Sequence, residues 1–412
     1  MDFPRLRAVE VVPLEEGTYG LRDPYRYTEK ILIVPQNILF ILSLFDGRHS
    51  ILDIQCEYTR RFGDLLYSQK VQEIVDQLDG GGFLESDQFT VLKKRVDEEF
   101  RRADTRHPSH AGTAYAGESG ALREQLAGFF AWPGKAAQAS EGSPSAGSLR
   151  GRLEGIIAPH IDLARGGACF AASYSRLAED CTANTFVILG ISHVDTRNRF
   201  VLTEKDFDTP LGVLKTDRGF VRALAGKCSR DLFEDEIVHR HEHSLEFQVL
   251  FLKYLSPGRE DIRIVPVLCS SIDDLLLSPS PALEDAGLAE FLRGLKELLA
   301  ERGTGACLVA GVDLSHVGPR FGDREPLTPQ LADAVRREDE KMLQRVLARD
   351  AEGFYQSIRQ ESDRRRVCGF PAIYLLLNLL RRGESRLLKY EQAVDAQAQS
   401  LVSFASVAFY RD

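Results

Sequence analysis

The chain lacks the features that mark membrane and secreted proteins. Its longest largely apolar run, residues 38–45, is far shorter than the roughly 20 residues that span a bilayer. The first five residues lack the basic-then-apolar order of a signal peptide. The seven cysteines are odd in number and form no Cys-x-x-Cys pair, which indicates reduced thiols rather than a disulfide framework. We therefore expect a cytoplasmic protein with no membrane partner.

An excess of basic residues is also missing. The 412 residues carry 52 Lys and Arg against 61 Asp and Glu, which gives a formal net charge of −9. Nucleic acids bind basic surfaces, so we expect no nucleic-acid partner. Gly166 and Gly167 lack the Gly-x-Gly-x-x-Gly order and the acidic partner of a dinucleotide site, so no nucleotide cofactor is predicted.

The length favours two domains, which we place at residues 1–100 and 103–412. The pattern of the first domain indicates a winged helix-turn-helix: strands at 9–12 and 31–34, helices at 37–45, 51–62 and around 71–78, and a wing at 83–84 and 88–92. Residues 1–102 carry 14 Lys and Arg against 18 Asp and Glu, so the basic footprint of a DNA reader is absent. The order and the Leu44-Phe-Asp-Gly47 turn resemble PqqD-like peptide-binding domains. Docking of a peptide or protein, or simple packing, is therefore expected of it.

The second domain alternates strand and helix patterns. After a loop-like Gly/Ser/Ala-rich piece at 133–151, strands are predicted at 155–158, 185–191, 262–269 and 306–312, and helices at 168–179, 217–226, 243–254, 288–301 and 371–380. A helical region at 328–360 and two strands at 387–393 and 401–410 complete it. Such alternation favours an α/β three-layer sandwich with a mostly parallel or mixed central sheet.

Three of the nine histidines stand where buried strands end. They are His160 after Gly155-Ile-Ile-Ala-Pro, His193 after a run that begins at Thr185, and His316 after a run that begins at Ala306. Ligands of open α/β sheets collect at the carboxyl ends of the strands, so the three imidazoles should meet at one edge. One such histidine would more often be an ordinary loop residue, but three together predict metal binding or proton transfer.

A helix that begins at His243 carries a second polar pair. His243, Glu246 and Leu250 fall at i, i+3 and i+7 and share one face, which Leu250 indicates is buried. A carboxylate and an imidazole that point inward are costly unless they pair or serve a site. Asp313, close to the end of a strand, is placed to orient a ligand or to move a proton.

Seven motifs occur in the order and rough spacing of the Memo family, whose bacterial and archaeal members are known as AmmeMemoRadiSam system protein B. They are Ser109-His-Ala-Gly-x-x-Tyr115, Ala158-Pro-His160, Leu189-Gly-Ile-Ser-His193, Glu242-His-Ser-Leu-Glu246, Val265-Pro-Val267, Asp313-Leu-Ser-His316 and Val367-Cys-Gly369. The resemblance covers about residues 103–412. It implies the fold of the class III extradiol dioxygenases (LigB-like), with an iron site at the carboxyl edge of the sheet.

The resemblance also implies roles for individual residues. The family's metal ligands fall on His160, His193 and Cys368, and its neighbouring polar pairs fall on Asp313 with His316 and on His243 with Glu246. Two imidazoles and one anionic ligand suit Fe(II), although a thiolate also favours copper or zinc. The family name further implies association with an AMMECR-type protein and a radical SAM enzyme.

The chain departs from the family pattern after the first histidine. Ala-Gly-Tyr is common there, whereas this chain has Ile161-Asp-Leu-Ala-Arg165, which makes Asp162 and Arg165 candidates for substrate contact. Gln248 stands where another histidine is frequent. Phe370 follows Cys-Gly where Arg-His is common. These differences bear on the substrate, a small molecule or a peptide, more than on the metal.

Two classes of function remain open at this point. The first is a metal-dependent redox enzyme in which His316 is the acid/base, lies beside the metal and is oriented by Asp313 or Glu246. The second is a non-catalytic adaptor whose pocket binds a peptide or a metabolite while the first domain recruits a partner. A zinc hydrolase is a third and more distant alternative.

Overall fold

The computed structural model describes residues 1–14, 17–131, 151–278 and 280–412 of the chain. These residues divide into two compact units, Met1–Ala103 and Asp104–Asp412. The segment predicted as a loop at 133–151 lies outside the described residues, except for Gly151. No helix in the described part of the chain combines the length and apolar composition needed to cross a membrane.

The first unit joins a small antiparallel sheet to a group of helices. Its sheet has the order β1 (Glu10–Pro13), β2 (Thr18–Arg22) and β3 (Leu32–Pro35). The helices are α1 (Gln36–Ser43), α2 (Ile51–Phe62), α3 (Ser68–Gly80) and α4 (Asp87–Arg102). The stripe that predicted α3 is buried in the core, as its helical spacing requires: Val71, Ile74, Val75 and Leu78.

The predicted wing of the first unit is wrong at residues 88–92, which lie in α4. Read alone, Phe89-Thr-Val91 has the aromatic and β-branched composition of a strand. The hydroxyl of Ser86 instead accepts a hydrogen bond from the Phe89 backbone N–H and starts a helix that buries Phe89 and Val96, two turns apart. The sequence analysis also missed β2, which joins β1 to β3.

The second unit is built on a mixed sheet, as the predicted α/β class requires. Within the described residues the sheet has nine strands in the order β12-β14-β5-β11-β6-β10-β7, with β13 on β14 and β9 on β10. The pairs β5/β11, β11/β6 and β6/β10 are parallel, whereas β14 runs antiparallel to β5. Two short strands, β4 (Thr105–Arg106) and β8 (Asp206–Phe207), pair apart from it. The nine strands are β5 (Arg152–Ala158), β6 (Thr185–Ile191), β7 (Phe200–Leu202), β9 (Lys215–Thr216), β10 (Arg263–Cys269), β11 (Ala306–Gly311), β12 (His316–Val317), β13 (Ser385–Asp395) and β14 (Ser400–Arg411).

Helices cover both faces of this sheet. They are α5 (Ser119–Ala131), α6 (Leu163–Asp180), α7 (Arg218–Ala225), α8 (His243–Leu255), α9 (Asp273–Leu277), α10 (Ala286–Arg302), α11 (Pro329–Leu347), α12 (Ala351–Gln360) and α13 (Phe370–Leu379). On one face, Leu189 and Ala310 join a large apolar core with residues of α10 and α13. Their neighbours Gly190 and Gly311 point the other way, towards α8. Because side chains alternate along a strand, the helices and the sheet form three layers.

Asp23 provides a test of the packing in the first unit. Its buried carboxylate pairs with the buried guanidinium of Arg7 at 3.1 Å and accepts a backbone hydrogen bond from Tyr27. Asp23→Ala should destabilise this unit by about 3 to 5 kcal/mol, because it leaves the buried Arg7 cation without its anion. Hydrogen exchange of the amides of residues 1–103 in the full chain measures this.

The matched control is the exposed pair of Glu10 and Arg22, whose side chains are 44% and 51% accessible. Glu10→Ala should leave hydrogen exchange in the first unit nearly unchanged, because solvent already screens this pair. Equal losses for Asp23→Ala and Glu10→Ala would contradict the importance of the buried pair.

Candidate metal centre

His160 lies just beyond the end of β5 and is buried. Its Nδ1 is 3.0 Å from the carbonyl oxygen of Gly311, which can only accept, so Nδ1 carries the proton and donates. The Nε2 atom therefore bears a lone pair. The carboxylate of Asp313 accepts hydrogen bonds from the backbone N–H groups of His160 and Ile161, at 2.9 and 3.2 Å, and fixes the turn that presents this ring.

His193 and His243 reach the same place from β6 and α8. His193 follows the end of β6, and its Nδ1 is 3.1 Å from both carboxylate oxygens of Glu242. His243 is the first residue of α8, and its Nδ1 is 3.1 Å from Oε1 of the same carboxylate. Glu242 itself caps α8, since its side chain accepts a hydrogen bond from the Ser244 backbone N–H.

The three imidazoles form one cluster. One ligand atom from each of His160, His193 and His243 lies within 4.8 Å of those of the other two. Ring centroids are 5.0 Å apart for His160 and His193, 5.1 Å for His160 and His243, and 4.7 Å for His193 and His243. The His193 and His243 side chains are 40% and 31% accessible, so the cluster opens to solvent on their side. Three imidazole nitrogens this close together fit a divalent metal ion.

Cys368 and Asp313 border the cluster next to His160. The Cys368 sulfur is 3.3 Å from His160 Nε2 and 3.6 Å from the Asp313 carbonyl oxygen, and Asp313 Oδ2 is 3.7 Å from the same Nε2. Burial raises the pKa of Asp313 to about 7 and raises the pKa of Cys368 well above its usual value. A divalent cation would favour the ionised forms of both groups, so this donor set also fits a metal.

A family model described as Memo-like protein matches residues 106–408. The chain belongs to the Memo family. A MEMO1 family protein of Aquifex aeolicus is 29% identical over 410 residues, which is 99% of this chain and 100% of that protein. For relatives of Thermus thermophilus and Caldivirga maquilingensis the identities are 27% and 29%, over 87% and 74% of this chain and 98% and 99% of those proteins.

The region matched by the family model nearly coincides with the second unit of this Memo protein. The family model begins at Arg106, two residues into the second unit, so the first unit lies outside it. The Aquifex aeolicus protein aligns along both units, whereas the Caldivirga maquilingensis protein is matched almost entirely by 74% of this chain. The first unit is therefore an addition that some relatives share.

His316 stands at the start of β12 and presents a lone pair. Its Nδ1 is 3.1 Å from the carbonyl oxygens of both Leu314 and Arg366, so Nδ1 donates and Nε2 can accept. The ring packs edge-on against Phe321. Burial lowers the pKa of His316 to about 4, which keeps the ring neutral near pH 7. The expectation that Asp313 or Glu246 orients His316 is wrong, because backbone carbonyls do so.

Glu246 is separated from His243, although the two share a helix face. Its carboxylate bonds Arg106, Tyr115 and the backbone N–H groups of Ser109 and His110. Burial alone would raise the pKa of Glu246, but the adjacent guanidinium of Arg106 holds it below its usual range. Glu246 thus fastens the start of the second unit to α8. The shared helix face does not bring Glu246 to His243, because the Arg106 guanidinium and the Tyr115 hydroxyl bind its carboxylate, and the catalytic role expected of Glu246 stays a prediction.

The two predicted substrate residues form a local pair at the start of α6. Asp162 caps this helix by accepting from the Arg165 backbone N–H at 3.0 Å, and the two side chains form an ion pair. They are 33% and 43% accessible, and within the described residues neither hydrogen bonds to the histidine cluster. Their role in substrate binding stays a prediction.

Sequence reasoning missed Glu242 as a functional residue. It is the first residue of the Glu242-His-Ser-Leu-Glu246 motif. An acidic residue directly before a helix that starts with histidine indicates a helix cap close to a metal ligand. Gln248, which departs from the family pattern, donates to the Pro159 carbonyl at 2.8 Å and accepts from Tyr174. Gln248 therefore fixes the backbone just after β5, directly before His160.

Gly369 tests how closely the Cys368 turn must approach the sheet. A Cβ at this position would lie 2.5 Å from the Asp313 carbonyl oxygen and 2.8 Å from Val312 Cβ. Gly369→Ala should therefore push the turn outwards and cost about 1 to 3 kcal/mol of stability. Thermal unfolding measures the loss, and faster reaction of Cys368 with a thiol reagent reports the displacement.

Gly128 in α5 is the matched control, because a Cβ there meets no atom within 4 Å. Gly128→Ala should be neutral or slightly stabilising, since alanine favours a helix over glycine. An unchanged melting temperature and thiol reactivity in Gly369→Ala would refute the close approach.

Proposed function

We propose that this Memo protein is a metal-dependent redox enzyme that uses Fe(II). The observation that carries the proposal is the convergence of three imidazoles, each held by a hydrogen bond or ion pair at its Nδ1, with the Cys368 thiol 3.3 Å from Nε2 of His160. His160, His193 and His243 would hold the metal, with Cys368 as a neighbouring fourth donor. Relative to the sequence-based assignment, His243 moves from the catalytic pair to the ligand set.

The proposed choice of iron rests on the expected relationship to the class III extradiol dioxygenases. Nitrogen and sulfur donors also suit copper and zinc, so elemental analysis must decide between the metals. Bound Fe(II) would supply the redox chemistry with O₂ and a substrate that chelates it. The solvent-exposed side of His193 and His243 is where a substrate can approach.

Two residues can hold or move a proton beside these ligands. His316 is neutral, with Nε2 free to take a proton from a substrate hydroxyl, because its pKa of about 4 reflects burial. Asp313, with its pKa near 7, can hold a proton on the same side as Cys368. Both stand at the end of β11 and its continuation, so the fold fixes their distance from His160.

Removal of single ligands tests the metal centre. His160→Ala, His193→Ala and His243→Ala should each abolish stoichiometric iron after anaerobic reconstitution, because each deletes one of three donors. Elemental analysis of the full-length protein measures this. His107→Ala is the control, since the His107 side chain is 79% accessible and pairs with Asp208. Full iron content in all three variants would exclude the proposed site.

An adaptor that works with AMMECR-type and radical SAM partners is the alternative. The observation in its favour is the apolar surface of the first unit, where Ile31 and Ile33 are 64% and 68% exposed. Monomeric proteins expose few such patches unless they dock a partner. Copurification with either partner, lost in Ile33→Lys, would support the adaptor role.

His316 separates the enzyme from the adaptor. His316→Ala should leave iron content and melting temperature unchanged and reduce oxygen uptake by the iron-loaded protein about 10² to 10⁴-fold, the usual contribution of a positioned acid/base. An oxygen electrode measures the rate. A wild-type protein that binds iron yet consumes no oxygen with any chelating substrate would favour the adaptor.

A further inference from the structure

Glu242 is a buried carboxylate that serves two of the three imidazoles at once. Its side chain is 6% accessible and lies 3.1 Å from Nδ1 of both His193 and His243. It also accepts the backbone N–H of His193 and that of Ser244, each at 3.0 Å. Four donors thus converge on one anion that has no role in the ligand set itself.

We propose that Glu242 is the positioning residue of the metal centre, and that it fixes the tautomer and ring orientation of His193 and His243 together. An ionised carboxylate can only accept, so both rings must carry their proton on Nδ1 and present Nε2 to the metal. The inference rests on the proposed metal function. Glu242 acts through these two imidazoles rather than by touching the metal.

His160 shows that the arrangement is specific to two of the three rings. Its Nδ1 donates to the Gly311 backbone carbonyl, so its orientation does not depend on Glu242. Removing a residue that hydrogen bonds to one metal ligand typically lowers metal affinity 10- to 100-fold. Because Glu242 holds two ligands, its loss should weaken binding by about 10²-fold or more.

A purely structural role for Glu242 is the rival explanation, because it also caps α8. Serine is a good N-cap residue but is too short to reach two imidazoles. Glu242→Ser therefore retains a helix cap and removes the shared carboxylate. Glu242→Gln retains the shape, and its amide oxygen can accept from only part of the original donor set.

The experiment titrates full-length apoprotein with Co(II), whose visible absorption reports its coordination. Glu242→Gln and Glu242→Ser should both bind Co(II) about 10²-fold more weakly than wild type. Glu154→Gln is the control: this carboxylate is also largely buried, at 11% accessible, but it lies at the start of β5 and accepts from the Arg381 backbone N–H. Its affinity should equal that of wild type. Wild-type affinity in Glu242→Ser would overturn the proposal, because the cap alone would then suffice.

A second measurement needs no variant at position 242. Long-range ¹H–¹⁵N spectra of the wild-type apoprotein, recorded at a pH where both rings are neutral and assigned with His193→Ala and His243→Ala, should show the Nδ1–H form for both rings. A neutral ring with its proton on Nε2 would refute the inference, even if the position 242 variants fail to fold. A wild-type protein that does not bind Co(II) would instead refute the metal function, while the tautomers still decide the role of Glu242.

Discussion

The close approach of α8 to the central sheet is the constraint on which the site depends. A Cβ on Gly190 would lie 2.6 Å from Ser244 Oγ, and a Cβ on Gly311 would lie 2.6 Å from Gln248 Nε2. The Ser244 hydroxyl donates to the Ile191 carbonyl and accepts from the Ile191 N–H, which fastens the start of α8 to the end of β6. This spacing brings the His243 ring within 5.1 Å of His160 and 4.7 Å of His193, which follow two parallel strands.

Burial then decides the charge state of four groups in and beside the cluster. It is the largest cause that lowers the pKa of His160 and of His316, and it raises the pKa of Asp313 and Cys368. His160, His316 and Cys368 are consequently neutral near pH 7 without a cation, whereas Asp313 titrates there, and the pKa of His193 is raised because the Glu242 carboxylate outweighs burial. Burying charged donors is costly. Uncharged donors whose other ring nitrogen is hydrogen-bonded avoid this cost until a metal binds. The carboxylate of Glu242 supplies negative charge directly behind His193 and His243.

The sequence predicted most of the second unit because its periodicities are long and agree with one another. Strand 185–191 matches β6 residue for residue, and of the three strand-end histidines expected to meet, His160 and His193 lie in the cluster, where His243 takes the place expected for His316. The prediction failed where a contact is not local. A strand at 88–92 could not be distinguished from a helix without the residues that follow. Nor could the motif reveal that Glu246 faces Arg106, 140 residues away, while Glu242 faces the imidazoles.

One segment between α12 and α13 supports both the candidate base and the thiol. The Arg365 carbonyl accepts the His316 backbone N–H, and the Arg366 carbonyl accepts its Nδ1–H. Arg366 adopts a left-handed backbone with φ of 51°, which non-glycine residues rarely do, and Cys368 follows two residues later. The buried guanidinium of Arg365 fixes this segment through Asp339 and Ser315. His316 and Cys368 are therefore held by the same anchor. A movement of this segment changes the proton acceptor and the sulfur donor together, so the fold ties the geometry of proton transfer to that of the metal centre.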